Sequence, residues 1–174
     1  MKTHAQSTAA LTQLAKLIED IPVAMLTNLE PDGTLVSRPM SPLEMDVNGA
    51  IWFFTDINSS KVEQLRRVNL SFADPACASY VSLSGHGELD KDQAHINQLW
   101  TPFVKPWFPE GPDSPNLVLL KFVPDTAEYW DAPHSKMVRM AAIAASVVAG
   151  KPIGMGEHDT LTGLSANAPA ARVA

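Results

Sequence analysis

The sequence predicts a mainly β protein, an antiparallel sheet curled into a small barrel with helices on its flank. Three observations lead to this fold class. Strand patterns joined by tight turns fill residues 23–55, and further strand patterns recur after them. Helical patterns lie at the start of the chain and late in it. With 174 residues, of which 45% are hydrophobic, the chain can form one domain with a substantial core.

The first third of the chain contains one predicted helix and four predicted strands. Leucines at helical spacing predict a helix over residues 8–18, which Pro22 ends. The turn EPDG at 30–33 has a proline that presets φ and a glycine that accepts positive φ. Asn48-Gly49 is a strong hairpin signal. The four strands are expected at 23–29, 34–40, 42–47 and 50–55.

The rest of the chain alternates predicted helices and strands. A helix is expected to begin at Ser60, because Glu63 three residues later completes a capping box. A loop at 101–115 is rich in proline and aromatic residues. The remaining strands are expected at 69–74, 78–89, 116–123 and 127–130, and the remaining helices at 90–100 and 136–150.

The residues after the last predicted helix form a separate segment. We expect one domain over residues 1–150, followed by a tail over 151–174 that shows no strand alternation and no sustained helical face. Such a tail is either disordered or docked on the barrel. The functional alternative is a lid over a site, carrying Glu157 or His158.

Composition and charge exclude several classes of protein. A net charge of −6 argues against a nucleic-acid binder. No stretch reads as a signal peptide or as a membrane span, and Cys77 stands alone, so the expectation is a cytoplasmic protein without a disulfide. The five histidines show no metal-ligand spacing, so no metal is expected.

The segment after strand 50–55 has two possible roles. Ser59, Ser60 and Lys61 stand at the predicted start of a helix, where unpaired N–H groups attract anions. These side chains either hold a phosphate or only cap the helix and face solvent. Arg38 favours a phosphate, because a guanidinium in a largely apolar strand requires a partner, and a planar acceptor suits it. The alternative for Arg38 is an exposed sheet face or an ion pair with an acidic residue.

Five short motifs, in this order and spacing, carry a resemblance to a known family. They are SRPM (37–40), WFFTD (52–56), SSKVEQL (59–65), SGHGEL (84–89) and EYWD (128–131). Over residues 10–150 the chain resembles the flavin-binding split-barrel relatives of pyridoxamine 5′-phosphate oxidase, and within them the general stress protein 26 group. The resemblance implies an FMN-binding split β-barrel with an antiparallel, Greek-key-like topology.

The resemblance also implies a cofactor, an assembly and a set of contacts. The cofactor is FMN, with FAD possible, bound at the interface of a homodimer that also takes a small-molecule ligand. Arg38, Lys61, Ser59 and Ser60 would hold the phosphate. Phe54 and Thr55 would border the ribityl chain or the ring, Pro39 and Met40 would lie beside the isoalloxazine, and Trp130, with Trp107 as a looser candidate, would approach the flavin. From the residues alone, these aromatics and methionines are equally typical of a core.

Several functions remain open at this stage. The first is a flavoprotein that is redox-active on an unknown small molecule. The second is a non-enzymatic stress protein that binds or buffers flavin. No catalytic residue is identified. A true pyridoxamine 5′-phosphate oxidase is disfavoured, because the arginine pattern that its substrate requires is missing after Trp130. A haem-binding split barrel would need an axial ligand such as His86 or His95.

Overall fold

The computed structural model describes residues 1–131, 146–147, 149–151 and 157–164, and in them one nine-stranded sheet with two α-helices. In chain order the elements are β1 (Lys2–Thr3), α1 (Ala9–Ile18), β2 (Ala24–Leu29), β3 (Leu35–Met40), β4 (Glu44–Met45), β5 (Ile51–Asp56), β6 (Val68–Asp74), β7 (Ser79–Asp90), α2 (Gln93–Leu99), β8 (Leu117–Asp131) and β9 (Glu157–Thr162). Short 3-10 helices cover Ser60–Gln64, Pro102–Val104 and Gly111–Asp113. None of the described helices is long and apolar enough to cross a membrane.

The strands follow the order β1-β4-β5-β8-β7-β6-β2-β3, and all the pairs are antiparallel except β1 with β4. Strand β8, 15 residues long, organises the sheet. Along one edge it pairs with β7, and along the other it pairs first with β5 and then with β9. In the described ladder β3 and β5 do not pair, so the barrel is open between them.

The prediction of separate strands at 116–123 and 127–130 is wrong, because one strand runs through both. A β-bulge lets the chain pass Pro124 without breaking the ladder, and the register against β7 shifts between Ser84 and Gly85. A Cβ added to Gly85 would lie 2.2 Å from the carbonyl oxygen of Val123. Glycine is therefore required where the two strands approach most closely.

The barrel interior is filled by alternate strand residues and closed by α1. Phe53, Phe72 and Phe122 are fully buried there, and the leucines that predicted α1 pack onto them as part of the same cluster. A smaller apolar cluster lies on the opposite face of β5, beneath α2. It contains Trp52, Ile96, Leu99, Leu117 and Leu119. Strand β5 therefore separates the two apolar clusters.

Most predicted elements are present, and two of the shorter ones differ. The helix at 8–18 and both early turns are confirmed, with Gly33 at φ 86° and Gly49 at φ 84°. The strand predicted at 42–47 is reduced to Glu44–Met45. The helix predicted from Ser60 is a 3-10 helix that ends at Gln64. It stops because the next carbonyl, that of Leu65, accepts a hydrogen bond from the Gly87 N–H at 2.7 Å.

The C-terminal segment contains a strand that the sequence did not predict. Residues 157–162 form β9, which pairs with the second half of β8. Their polar sequence shows little intrinsic preference for a strand, but the free edge of β8 supplies a partner, and tertiary context overrides propensity. The helix predicted at 136–150 lies mostly outside the described residues, and the domain boundary at residue 150 stays a prediction.

Candidate functional site

A cluster of charged and hydroxyl side chains lies at the opening of the barrel, where β3 faces the end of β5. Arg38 lies opposite the fully buried Leu26 in the β2–β3 ladder, so its side chain starts from the inner face. Its guanidinium donates to Asn28 Oδ1 at 2.5 Å, to Glu30 Oε1 at 3.1 Å and to Ser60 Oγ at 3.2 Å. The bond to Ser60 joins the two sides of the opening.

Lys61 adds a second positive charge to the same place. Its ammonium donates to Ser59 Oγ at 3.2 Å. Burial of the ammonium and the positive charge of Arg38 both lower the pKa of Lys61, and the Asp56 carboxylate opposes them. Both effects disfavour the charged form of this lysine. An anion placed between the two cations would reverse the second effect.

We call Arg38, Ser59, Ser60 and Lys61, with Asn28 and Glu30, the cation cluster. The structure brings together all four side chains that the sequence assigned to a phosphate. Ser59 stands at the N-cap position of the described 3-10 helix, but neither its hydroxyl nor that of Ser60 accepts a capping hydrogen bond from the described residues. The capping role expected of them is therefore wrong, and both hydroxyls point to the cations instead.

Two carboxylates limit how much positive charge the cation cluster presents. Hydrogen bonds from Asn28 and from Arg38 hold the pKa of Glu30 below its ordinary value, so Glu30 is ionised at neutral pH. Asp56 acts on Lys61 from the other side. An incoming anion would compete with Glu30 for the Arg38 guanidinium. Asn28 and Glu30 were not predicted from the sequence. In the β2–β3 ladder Leu26 pairs with Arg38, so Asn28, two residues after Leu26, lies on the same face as Arg38.

Thr55 and Phe54 point to opposite faces of β5. Thr55 is 3% exposed, and its Oγ1 has no hydrogen-bond partner among the described residues. A buried hydroxyl without a partner is costly, and a ligand can satisfy it. Phe54 instead packs in the cluster beneath α2, with its ring 6.0 Å from that of Trp100. The two side chains expected to border one ligand are therefore separated by the strand itself.

Pro39 and Met40 also diverge, as neighbours in a strand must. Met40 is buried in the barrel core opposite Ala24, which fits the core alternative for methionine. Pro39 is exposed on the outer face opposite Met25. Of this pair, only Pro39 presents its side chain to the outer surface.

The two tryptophans assigned to the flavin are both accessible. Trp130 is 42% exposed on the outer face of β8, and its ring stacks on His158 of β9 with centroids 4.9 Å apart. Trp107 is 75% exposed in the proline-rich loop. Within one chain, neither is recorded in contact with the cation cluster.

A second charged cluster, which we call the imidazole cluster, joins three elements around one carboxylate. Glu44 on β4 accepts hydrogen bonds from His4 Nε2 at 3.2 Å and from His95 Nε2 at 2.9 Å. Its side chain is 5% exposed. Burial raises the pKa of Glu44, but the bonds from His95 and His4 outweigh burial and leave it below the ordinary value of 4.5.

Comparisons with known proteins show which family the chain is similar to. A family model described as pyridoxamine 5′-phosphate oxidase like matches residues 9–153. Protein bli-3 of Neurospora crassa is 26% identical over 140 residues, which cover 74% of this chain and 67% of that protein.

Solved structures show the same similarity. A general stress protein 26 from Jannaschia sp. CCS1 is 28% identical, with 89% of this chain and 99% of that one covered and a TM-score of 0.71. A general stress FMN/FAD binding protein from Xanthomonas citri is 31% identical, with coverages of 70% and 88% and a TM-score of 0.59.

A heme binding protein from Mycobacterium smegmatis, 14% identical with coverages of 90% and 59% and a TM-score of 0.58, shares the fold alone. The split-barrel fold and the family that the five motifs indicated are confirmed by these matches. The chain belongs to the pyridoxamine 5′-phosphate oxidase-like family, among the relatives of general stress protein 26.

Proposed function

We propose that this protein binds FMN, with the phosphate held between Arg38 and Lys61. The observation that carries the proposal is the convergence of two cations and two hydroxyls at one opening, where burial and the nearby guanidinium lower the pKa of Lys61. A phosphate would satisfy both cations by charge-assisted hydrogen bonds. The name of the Xanthomonas citri relative, a general stress FMN/FAD binding protein, supports a flavin ligand.

The buried Thr55 hydroxyl supports the same fit. Its oxygen lacks a partner among the described residues, and a ribityl hydroxyl is a suitable donor and acceptor for it. FAD carries phosphate as well, so it remains compatible with the cation cluster. The monophosphate is our proposal, because it can present a dianionic end to Arg38 and Lys61 together.

We further propose that the site is completed by a second copy of the chain. Arg38 starts from the inner face of β3, whereas Trp130 stands on the outer face of β8. Arg38 reaches Ser60 just after the end of β5, and that end pairs with Leu117 at the start of β8. Trp130 lies 13 residues after Leu117, about 40 Å farther along the same strand. One flavin that contacts both side chains therefore requires them from different subunits. Light scattering is expected to give about twice 18.8 kDa, and a monomer that still binds FMN at low concentration would contradict this assembly.

The chemistry that a bound flavin supplies is electron and hydride transfer, and the protein contributes placement and electrostatics. The cation cluster would hold the phosphate end, and Trp130 would position the ring. Redox activity on a small molecule is the first candidate function. Storage or buffering of flavin is the second.

One pair of measurements tests the proposal and separates its two forms. The absorption spectrum of freshly purified protein should show a flavin, and added FMN should restore the spectrum after its removal. A protein that stays colourless with excess FMN would refute flavin binding. NADH and NADPH are then added without oxygen. Bleaching within seconds to minutes supports the oxidoreductase, and a flavin that stays oxidised supports buffering.

Haem binding is the weaker alternative, because the described histidines are engaged elsewhere. His95 donates to the Glu44 carboxylate and lies edge-on to Trp52, with ring centroids 4.5 Å apart. His86 is flanked by Glu88 and Asp125, each at 3.9 Å. An axial ligand would require an imidazole nitrogen directed at an apolar pocket. Neither histidine is placed in that way.

A further inference from the structure

Strand β9 places an imidazole on a tryptophan that the proposed function uses. The register pairs Trp130 with His158 on one side and with Tyr80 on the other. The rings of Trp130 and His158 are stacked, with 28° between their planes. Tyr80 and Trp130 each remain 42% exposed. Three adjacent strands therefore present a row of aromatic side chains on the outer face of the sheet, which we call the aromatic row.

The neighbouring positions on this face are of a different kind. The next cross-strand row contains Ser82, Glu128 and Thr160, and the one after it contains Ser84, Thr126 and Thr162. Hydroxyls dominate these rows, as on an ordinary solvent-facing sheet. Exposed aromatics concentrated in one row are typical of a surface that meets a partner or a planar ligand.

On the basis of the proposed flavin binding, we propose that β9 is part of the ring-binding face of that site, with His158 as a positioning residue. Stacking on His158 holds one face of the Trp130 indole, so the indole is fixed before a planar heteroaromatic ring meets its accessible surface. The C-terminal strand then contributes to affinity for the ring and not for the phosphate.

The test uses riboflavin, which has the ring without the phosphate, beside FMN. His158→Ala is expected to weaken the binding of FMN and of riboflavin by the same factor, about five- to tenfold. It should also change the visible circular dichroism of the bound flavin. His158→Phe keeps a stacking ring and should restore affinity to within about twofold, together with the wild-type dichroism. Thr160→Ala, an exposed change at the next outward position of the same strand, is the matched control and should behave as wild type.

Three results would overturn the inference. Wild-type riboflavin affinity and dichroism in His158→Ala would show that the stack does not position the ring. Equal losses in His158→Ala and His158→Phe would show that stacking is not the cause. A wild-type protein that binds neither FMN nor riboflavin would refute the proposed function and this inference with it, whereas the first two results leave flavin binding intact.

Discussion

The cation cluster and the imidazole cluster both bring charged groups out of water, but only one of them is balanced. In the imidazole cluster, each carboxylate oxygen of Glu44 accepts a hydrogen bond from a histidine nitrogen, and the pKa of Glu44 is lowered. The charged carboxylate is therefore favoured by the fold. In the cation cluster, the pKa of Lys61 is lowered, so the charged ammonium is disfavoured. The imidazole cluster therefore stabilises the fold by itself, whereas the cation cluster keeps an uncompensated charge, which supports the proposal that it holds an anion.

The largest expected effect follows from removing the balanced charge. Glu44→Gln should lower the free energy of unfolding by about 2–4 kcal/mol, because a buried acceptor of two imidazoles is replaced by an amide that cannot satisfy both. Urea denaturation at neutral pH measures this, and FMN affinity should stay unchanged. The matched control is Glu88→Gln, which removes an exposed carboxylate paired with Lys121 and should cost under about 1 kcal/mol.

The same variant gives a pH dependence with a defined sign. The pKa of Glu44 is lower in the folded state than in the unfolded chain. Its contribution is therefore complete above the unfolded value near 4.5 and is lost as the pH falls through the folded value. The stability gap between wild type and Glu44→Gln should be constant above this range and should shrink below it. A gap that widened on acidification would contradict the balanced-charge interpretation.

An intermediate effect is expected at the orphaned hydroxyl of Thr55. Thr55→Val should raise the stability of the ligand-free protein by about 0.5–1.5 kcal/mol, because the buried oxygen lacks a partner among the described residues. It should also weaken FMN binding by about fivefold, because the ribityl chain loses its proposed hydrogen bond to that oxygen. Thermal unfolding and FMN titration measure both changes. Thr27→Val is the control for a threonine whose hydroxyl is already bonded, to Ser37, and it should not raise stability.

The smallest expected effect is on the ligand-free protein when Lys61 is replaced. Lys61→Met should leave stability unchanged or raise it by less than about 1 kcal/mol, because the fold disfavours the ammonium. The unfolded chain binds this proton more tightly than the folded protein does. Wild-type stability therefore gains as the pH rises through the folded pKa toward 10.5, and the gap between the two proteins should close. Lys91→Met, at an exposed lysine before α2, is the control and should leave stability at neutral pH within about 0.5 kcal/mol of wild type.

The fold was largely predictable because its signals are local. Leucine spacing in α1, the glycines at 33 and 49, and the alternation in β2 and β5 each specify one element. Strand β9 could not be predicted, because it depends on the free edge of β8, and even the nearest register pair, Asp131 with Glu157, is 26 residues apart in the sequence. The continuity of β8 past Pro124 likewise depends on its partner, Gly85.

The candidate site was predictable in its charges and less so in its apolar contacts. Arg38, Ser59, Ser60 and Lys61 converge as the motifs implied. Phe54 and Met40 point elsewhere, because strand alternation sends the neighbours of Thr55 and Pro39 to the opposite face. The role of Glu30 as a competitor for Arg38 depends on side-chain geometry, which a motif does not specify.

The most direct test of the central claim compares FMN with riboflavin in the wild type, in Lys61→Met and in Arg38→Ala. The two ligands differ only in the phosphate, so the ratio of their dissociation constants isolates the cation cluster. We expect the wild type to bind FMN more tightly than it binds riboflavin. Each substitution should weaken FMN binding by about 10- to 100-fold and should change riboflavin binding little. Equal losses for both ligands, or an unchanged ratio, would contradict the assignment of the phosphate to Arg38 and Lys61.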